Sequence, residues 1–558
     1  MKRITSITNR IWNIQGKLDK ASDIVEILAK NRGVELSAFL NISIKNSLPD
    51  PFIFVDMEKA VHRIVDAIKS RQKIAILGDY DVDGVSSVSI FIKLLEYIGA
   101  DYTYVIPSRV DDGYGLNIAN IERHKECLII TVDCGSSSVE ELAYAKNNHI
   151  DVIIVDHHRM SVIPESCALI NPHRPDEKDT HKYLCAAGLA FICVVGVNRL
   201  LKEIGFYSED AAPNLFEYLD LVALATVCDI MELRDLNRAF VQSGLKIIRQ
   251  RRNIGIDALL SLNKSVCINA ETISFFLGPR LNAAGRMDRA DLSVRLLTTK
   301  NPIEARKIAM RLEDLNNKRR TLEQEMVAEA ISLVSEDQKF ICIYNPNWHL
   351  GIIGIIAGRL KEKYQKPTIV ISCDSNGMGK ASCRSIENVN ISEVIKKGIQ
   401  QEIIVSGGGH AMAAGFSISV SKIKDLLKFL VTNIEYETSI PELYADCITP
   451  LNFITAKFIE TISVLEPFGS GNRPPKFVIP NVKIISARVV GENHIAFSLV
   501  DENGNSVRAI SFRSLGTKLG DILLEECSCV CALGSAVISH WNNQSYLNFQ
   551  LDDIHILL

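Results

Sequence analysis

A basic excess is the first thing this sequence lacks. It has 62 Lys and Arg against 66 Asp and Glu, a net charge of −4 and a pI near 6.3. That excludes a globally basic nucleic-acid binder and confines any polyanion site to a local patch. The 14 cysteines contain no C-x-x-C pair, which excludes a zinc ribbon and fits reduced thiols. "CSCVC" at 527–531 reads as period-two alternation along a half-buried strand, not as a soft-metal site. No apolar run is long enough to cross a bilayer. The longest, 185–197, falls short of the roughly 20 residues needed and reads as a buried helix. The opening "MKRITSITNRIWNIQG" has charge but no apolar core, so neither a secretory signal nor a membrane role is expected, and the location expected is the cytoplasm. Internal repeats and low-complexity tracts are also missing.

What is present is a chain of 558 residues, 47% apolar and 23% charged, enough for several cores and roughly three or four domains. The expected fold class is α/β, with two α/β domains joined by a long helix and followed by a small barrel. After an N-terminal segment (1–50), residues 51–300 alternate β-branched runs with helical stretches: "KIAIL", "SVSIFIKLLEYIG", "CLIITV", "VEELAYAKNN", "DVIIV". This βαβ rhythm predicts a parallel sheet whose ligands gather at the strands' carboxyl ends. A long helix is expected over 301–337, with Asn301 as N-cap and Pro302 in the first turn. A second α/β unit follows over 338–432, then a linker over 433–457. Residues 458–558 contain about five strands expected to be antiparallel, with an Asn503-Gly504 turn, and suggest an oligonucleotide-binding (OB) barrel.

Acids and histidines fall at the ends of three predicted strands. Asp79, Asp81 and Asp83 follow "KIAIL", Asp133 follows "LIITV", and Asp156, His157 and His158 follow "VIIV". In a parallel sheet these ends share one edge. Asp229 interrupts the apolar helical stretch "LVALATVCDIMEL", and a buried Asp needs a partner. Carboxylates with one or two imidazoles suit Mn²⁺ or Mg²⁺. The number of ligands exceeds what one open site needs, so two ions sharing a carboxylate is the economical reading, an arrangement suited to in-line phosphoryl displacement. Adjacent histidines face different ways, so one of His157 and His158 would bind metal and the other face substrate. An EF-hand is excluded, because the twelfth position counted from Asp79 is Ile90 and the preceding segment reads as a strand.

"DYDVDG", "VDCG", "VDHH" and the later Asp229, in that order, resemble the DHH phosphoesterase superfamily. "FFLGPRLNAAGRM", "NWHLGIIGIIAGRL", "GKASCRS", "SGGGHAMAAGF" and "LEPFGSGNRPPKF" narrow the resemblance to its RecJ family of single-strand-specific 5′→3′ DNA exonucleases, from about residue 51 onward. The resemblance implies two Mn²⁺ or Mg²⁺ ions on Asp81, Asp83, Asp133, His157 and Asp229, with Asp133 bridging. It implies that His158 acts on the scissile phosphate, and that Asp79 and Asp156 either touch a metal or orient a group that does. The two α/β units then correspond to a DHH domain and a DHH-associated domain. In the second, Gly408, Gly409 and His410 of "GGGH" would approach phosphate. Arg280, Asn282 and Arg286, with Ser382 and Arg384, are implied substrate contacts, some of them gripping the 5′-phosphate. Arg109, Tyr114 and His349 are further candidates for strand contact, and the barrel would hold the strand by groove and stacking contacts. Single-stranded DNA is the implied partner, with single-strand-binding protein and a helicase as possible others, and a monomer is implied. Asp112, "DIMEL", "GKASCRS" and Arg473 depart from common family forms without removing a proposed ligand. The alternatives are a shorter-substrate DHH phosphodiesterase acting on oligonucleotides or cyclic dinucleotides, disfavoured by the barrel, and an inactive scaffold, disfavoured by the complete acid set.

Overall fold

The computed structural model describes all residues except 1, 108–114, 161, 179, 264–266, 336, 375–376, 437–439, 526–528, 542–543 and 557–558. The first sheet runs Tyr102–Val105, Ile74–Gly78, Leu128–Val132, Val152–Val155, Ala168–Ile170, with every neighbouring pair parallel. Alternate residues feed two cores. Ile74, Ile76, Ile130 and Ile153 meet helices Met57–Ser70, Val82–Ile98 and Ala186–Glu203, while Ala75, Leu77, Ile129 and Ile154 meet Ile118–Arg123 and Val139–Asn147. Both faces are covered, which is why these strands read as unbroken β-branched runs. The chain enters at Ile74–Gly78, builds one edge, and returns on the other side at Leu128–Val132. The strand order therefore reverses between these two, and in doubly wound sheets the crevice at such a reversal is the ligand site.

The long helix spans Pro302–Ser332, and Asn301 Oδ1 accepts hydrogen bonds from Ile303 N (2.9 Å) and Glu304 N (3.4 Å), as its sequence predicts. Ala305, Ile308 and Leu312 are buried in the first domain's core, whereas Met326 and Ala330 belong to that of the second. The second sheet orders Ser406–Gly409, Ala413–Ser419, Met378–Arg384, Thr368–Cys373 and Ile341–Asn345, with only the last pair parallel.

In the C-terminal barrel Phe477–Val490, His494–Val500 and Ser506–Ser511 form an antiparallel meander, and Val530–Trp541 pairs back onto Phe477–Val490 to close it. One expectation needs correcting: Ser506–Ser511 and Gln544–Ile556 pair in parallel. The chain passes through helix Lys518–Leu524 and strand Val530–Trp541 before returning, so the last strand arrives in the same direction as the third. Residues 2–39 are tied to this end of the molecule, whereas Ile44 packs in the first domain's core. Strands Lys2–Thr5 and Ile11–Ile14 form a sheet with Glu442–Ala445, and Leu18, Ile24, Leu28 and Phe39 enter the barrel core. Trp12 is fully buried and donates from Nε1 to Asp553 Oδ2 at 3.1 Å. Trp12→Ala is expected to cost about 3–5 kcal/mol, seen as an early urea transition confined to the barrel.

Candidate metal centre

Each acid is placed by the element that precedes it. After Gly78 the chain turns into helix Val82–Ile98, and Asp81 caps it: its Oδ1 accepts from Asp83 N at 2.9 Å and Gly84 N at 3.2 Å. Gly84 has to be glycine, because a Cβ there would lie 2.4 Å from the Asp79 carbonyl oxygen. Asp133 directly follows Leu128–Val132 and sits at φ 61°, a strained conformation costing on the order of 1–3 kcal/mol. Asp229 caps the carboxyl end of helix Leu219–Cys228 rather than standing inside it. The apolar run ends there, and the side chain projects from the helix end toward the sheet.

The three strand ends and this helix end meet. His157 Nε2 lies 3.3 Å from Asp133 Oδ1 and 3.6 Å from both Asp83 Oδ2 and Asp229 Oδ2. Potential ligand atoms fall into three overlapping sets, each within 4.8 Å: Asp83, His157, Asp229; Asp133, His157, His158; and Asp79, Asp81, Asp133. Asp83 also receives two backbone hydrogen bonds of 2.8 Å from Ala186 N and Ala187 N, at the start of helix Ala186–Glu203. Asp156 serves the histidines: it accepts from Ser136 N, His157 N and His158 N, and pairs with His158 Nδ1 at 2.7 Å.

Burial raises the carboxyl pKa of Asp83, with His157 partly offsetting and Asp81 adding to the rise. Burial and then the charge of Asp83 push Asp133 well above its ordinary value and Asp229 up to about 8. Burial would raise Asp156 as well, but the His158 hydrogen bond and charge outweigh it and leave Asp156 below the usual range. The same pair lifts His158 to about 9 against the opposing effect of burial. Asp133 Oδ1 is buried with no hydrogen-bond partner among the described residues. An orphaned carboxylate oxygen, ringed by acids and two imidazoles, fits a divalent cation.

The other predicted residues lie around this cluster. Asn282 Oδ1 accepts from Val82 N at 3.1 Å and so braces the acidic loop. Arg280 pairs with Glu313, donates to the Phe276 carbonyl and lies over the Phe276 ring at 3.7 Å. Arg286 Nη1 donates to the Gly351 carbonyl at 3.0 Å, and His349 Nδ1 accepts from Gly351 N at 3.1 Å. Arg384 donates to Ser382 Oγ at 3.3 Å. Gly408 and Gly409 end an exposed strand, and a Cβ on Gly408 would meet nothing within 4 Å. Burial, then the charges of His158, Arg159 and His157, lower the pKa of His410, so it faces the histidine pair from the second domain. Arg109 and Tyr114 lie outside the described residues. Sequence reasoning missed Asn171, fully buried, whose Nδ2 donates to Ser136 Oγ (2.8 Å) and the His158 carbonyl (2.9 Å). It follows Ala168–Ile170, a strand of three residues too short to read from sequence.

The sequence matches three family models: the DHH family N-terminal domain over residues 73–226, the DHHA1 domain over 337–435, and the RecJ OB domain over 445–553. It is 33% identical to the single-stranded-DNA-specific exonuclease RecJ of Haemophilus influenzae, covering 89% of this chain and 90% of that protein. It is also 33% identical to the RecJ of Bacillus subtilis, covering 90% of this chain but spanning only 64% of that longer relative. Among solved structures, RecJ in complex with Mn²⁺ from Thermus thermophilus superposes with a TM-score of 0.82 at 25% identity, over 98% of this chain and 80% of that one.

Divalent cations should relieve the repulsion. At 100 times Kd, Mn²⁺ is expected to add about 2.7 kcal/mol and raise the melting temperature of the first domain by roughly 5–10 °C. Asp133→Asn should reduce that rise sharply while leaving the metal-free protein no less stable, both read by differential scanning fluorimetry.

Proposed function

The chain belongs to the RecJ family of single-stranded-DNA-specific exonucleases, and from that premise we propose that it digests single-stranded DNA 5′→3′ to 5′-mononucleotides, in DNA repair and recombination. The observation that carries this reading is the convergence of Asp83, Asp133 and Asp229 on His157. Asp81, Asp83, Asp133, His157 and Asp229 would hold two Mn²⁺ or Mg²⁺ ions, with Asp79 beside Asp81. A donor set of carboxylates and imidazole without thiolate fits those ions. Bound there, they would supply a hydroxide nucleophile at neutral pH and neutralise charge on the phosphoryl group.

The protein's own groups do the rest. Asp156 holds His158 through Nδ1, and the imidazolium so oriented would act on the scissile phosphate. Water oxygen joins phosphorus, the bond from phosphorus to the terminal nucleotide's 3′-oxygen breaks, and that oxygen takes up a proton. The remaining strand keeps a new 5′-phosphate. Polarity follows from the second domain. A Cβ on Gly354 would lie 3.0 Å from Ser382 Oγ and 3.4 Å from Arg384 Nη2, so both side chains reach the first turn of helix Ile353–Tyr364. Arg286 donates to the carbonyl of Gly351, two residues before that helix. Guanidinium groups at a helix amino terminus suit a terminal 5′-phosphate. Open space at Gly408 suits close approach of a phosphate to backbone N–H groups. In the barrel, Arg508 lies over the Tyr546 ring at 5.4 Å, a pairing suited to stacking with bases.

A cytoplasmic location, a monomeric state, and strands supplied by a helicase or single-strand-binding protein complete the reading. The cysteines of the described residues are all unpaired, in keeping with a reducing compartment. No helix among the described residues is long and apolar enough to cross a membrane.

Asp133→Ala is expected to slow Mn²⁺-dependent digestion of end-labelled single strands by at least about a thousandfold, while strand affinity by fluorescence anisotropy stays within a few-fold. Release of products from dinucleotides alone would refute the reading. Arg384→Ala should cut the preference for 5′-phosphorylated over 5′-hydroxyl strands about tenfold, measured as a ratio of kcat/KM values.

A further inference from the structure

A pocket of ≈ 770 Å³ opens where the first domain meets the barrel's Pro/Gly-rich loop. Its walls are chained directly to the acid cluster: Arg159 follows His158, and Ile230 and Met231 follow Asp229. Lys182 and Arg234 add positive charge, and Ser470 of the loop closes the far side. The wall is firmly built. The Ser470 carbonyl accepts from Leu233 N at 2.8 Å, which joins loop and domain into one surface. Arg234 lies over the Tyr183 ring at 4.5 Å and is paired with Glu232 at 2.8 Å, so its charge is already engaged.

Two residues shape its inner face. Ile230 is 75% exposed and sits at φ 58° because it closes helix Leu219–Cys228: Ile230 N donates to the Val227 carbonyl at 3.2 Å and Met231 N to the Thr226 carbonyl at 3.1 Å. Arg159 points its charge into the same space from an exposed position beside the histidine pair. An apolar surface next to cations, on residues that adjoin His158 and Asp229 in the chain, is complementary to one nucleotide unit: base and sugar on Ile230 and Met231, phosphate on the cations.

We propose that this pocket binds the nucleotide on the 3′ side of the scissile phosphate, taking its own 3′-phosphate on Arg159 and Lys182. The proposal rests on the nuclease reading above, in which the 5′ end is held by the second domain, so that the strand crosses the acids and leaves toward the barrel. The pocket is incomplete without Ser470, so the barrel loop forms part of the active-site wall, and strands too short to carry a phosphate beyond the second nucleotide should be poor substrates.

The test is a cycle between protein and substrate. Short 5′-phosphorylated strands are made with either a phosphodiester or a neutral methylphosphonate between nucleotides two and three, leaving the scissile linkage intact. Cleavage with Mn²⁺ gives kcat/KM, and anisotropy in an Asp133→Asn background gives affinity without cleavage. With the native pocket, the neutral linkage should cost about tenfold in both. With Arg159→Ala and Lys182→Ala combined, the phosphodiester strand should already be weakened and the neutral linkage should cost nothing further. Lys182→Ala alone should flatten the slope of log affinity against log salt by about 0.7, and Lys182→Arg should restore the coupling. Losses that simply multiply, or unchanged behaviour in the double variant, would overturn the proposal. If the native enzyme cleaved neither strand, the nuclease reading would fall, and the anisotropy cycle would still decide the pocket.

Discussion

Mutual repulsion among the carboxylates of Asp79, Asp81, Asp83, Asp133 and Asp229 is the constraint around which the first domain is built. At an effective dielectric of about 20, two like charges 4 Å apart repel by about 4 kcal/mol, so a cluster of this size has to be held together by groups that do not depend on it. Backbone donors meet most of that need. Asp81 takes the amides that open helix Val82–Ile98, and Asp83 takes those that open helix Ala186–Glu203. Two helix amino termini therefore face one cluster, and each contributes a partial positive charge. Asp133 Oδ1 receives no such donor. What the fold leaves unneutralised is a field that protonation or a bound metal ion relieves, and the residual strain belongs to the stability that active sites commonly give up for function.

Topology makes the convergence possible. Parallel strands deliver their carboxyl ends to one edge, and the reversal of strand order between Ile74–Gly78 and Leu128–Val132 opens a crevice at that edge. Helix Pro302–Ser332 then enters both α/β cores, so the second domain is fixed relative to the crevice by apolar packing rather than by a flexible linker. That holds His410 and the Ser382–Arg384 pair in fixed relation to the acids.

Much of this was legible because the chemistry sits at strand ends. β-branched runs mark the strands, the residue after each run marks the edge, and so Asp81, Asp83, Asp133 and His157 could be grouped without coordinates. The long helix was legible from Asn301 and Pro302 alone. Other features depend on pairings that sequence does not encode locally. Asn13 donates to Glu442 across 429 positions, so nothing near residues 2–39 announces that they complete the barrel end. Asn171 was hidden because its strand is only three residues long. The parallel closing pair of the barrel depends on a crossover, which period-two alternation does not report. Asn282, assigned to substrate by motif, braces the acidic loop through its carboxamide oxygen, a role the motif does not announce.

The loop carrying "LEPFGSGNRPP", legible in the sequence as a Pro/Gly-rich motif, has a mechanical role. Asp229 ends its helix, Ile230 turns the chain through the left-handed region, and the amides of Ile230 and Met231 bond back to the Val227 and Thr226 carbonyls. The barrel loop holds the residues that follow. Leu233 N donates to Ser470, and side chains at Gly469 and Gly471 would come within 2.7 Å of Leu233 and 3.2 Å of Glu232. Arg238, fully buried and lying over Phe39 at 3.7 Å, donates to the Glu466 carbonyl in the same loop. The glycines are thus explained by close docking, and the docked partner is the segment that carries an acid of the cluster. N-terminal segment, barrel loop and Asp229 form one packed frame. A barrel tied this tightly to a ligand-bearing segment does not swing freely as a separate strand-holding module, and whatever it holds is kept in fixed register with the acids.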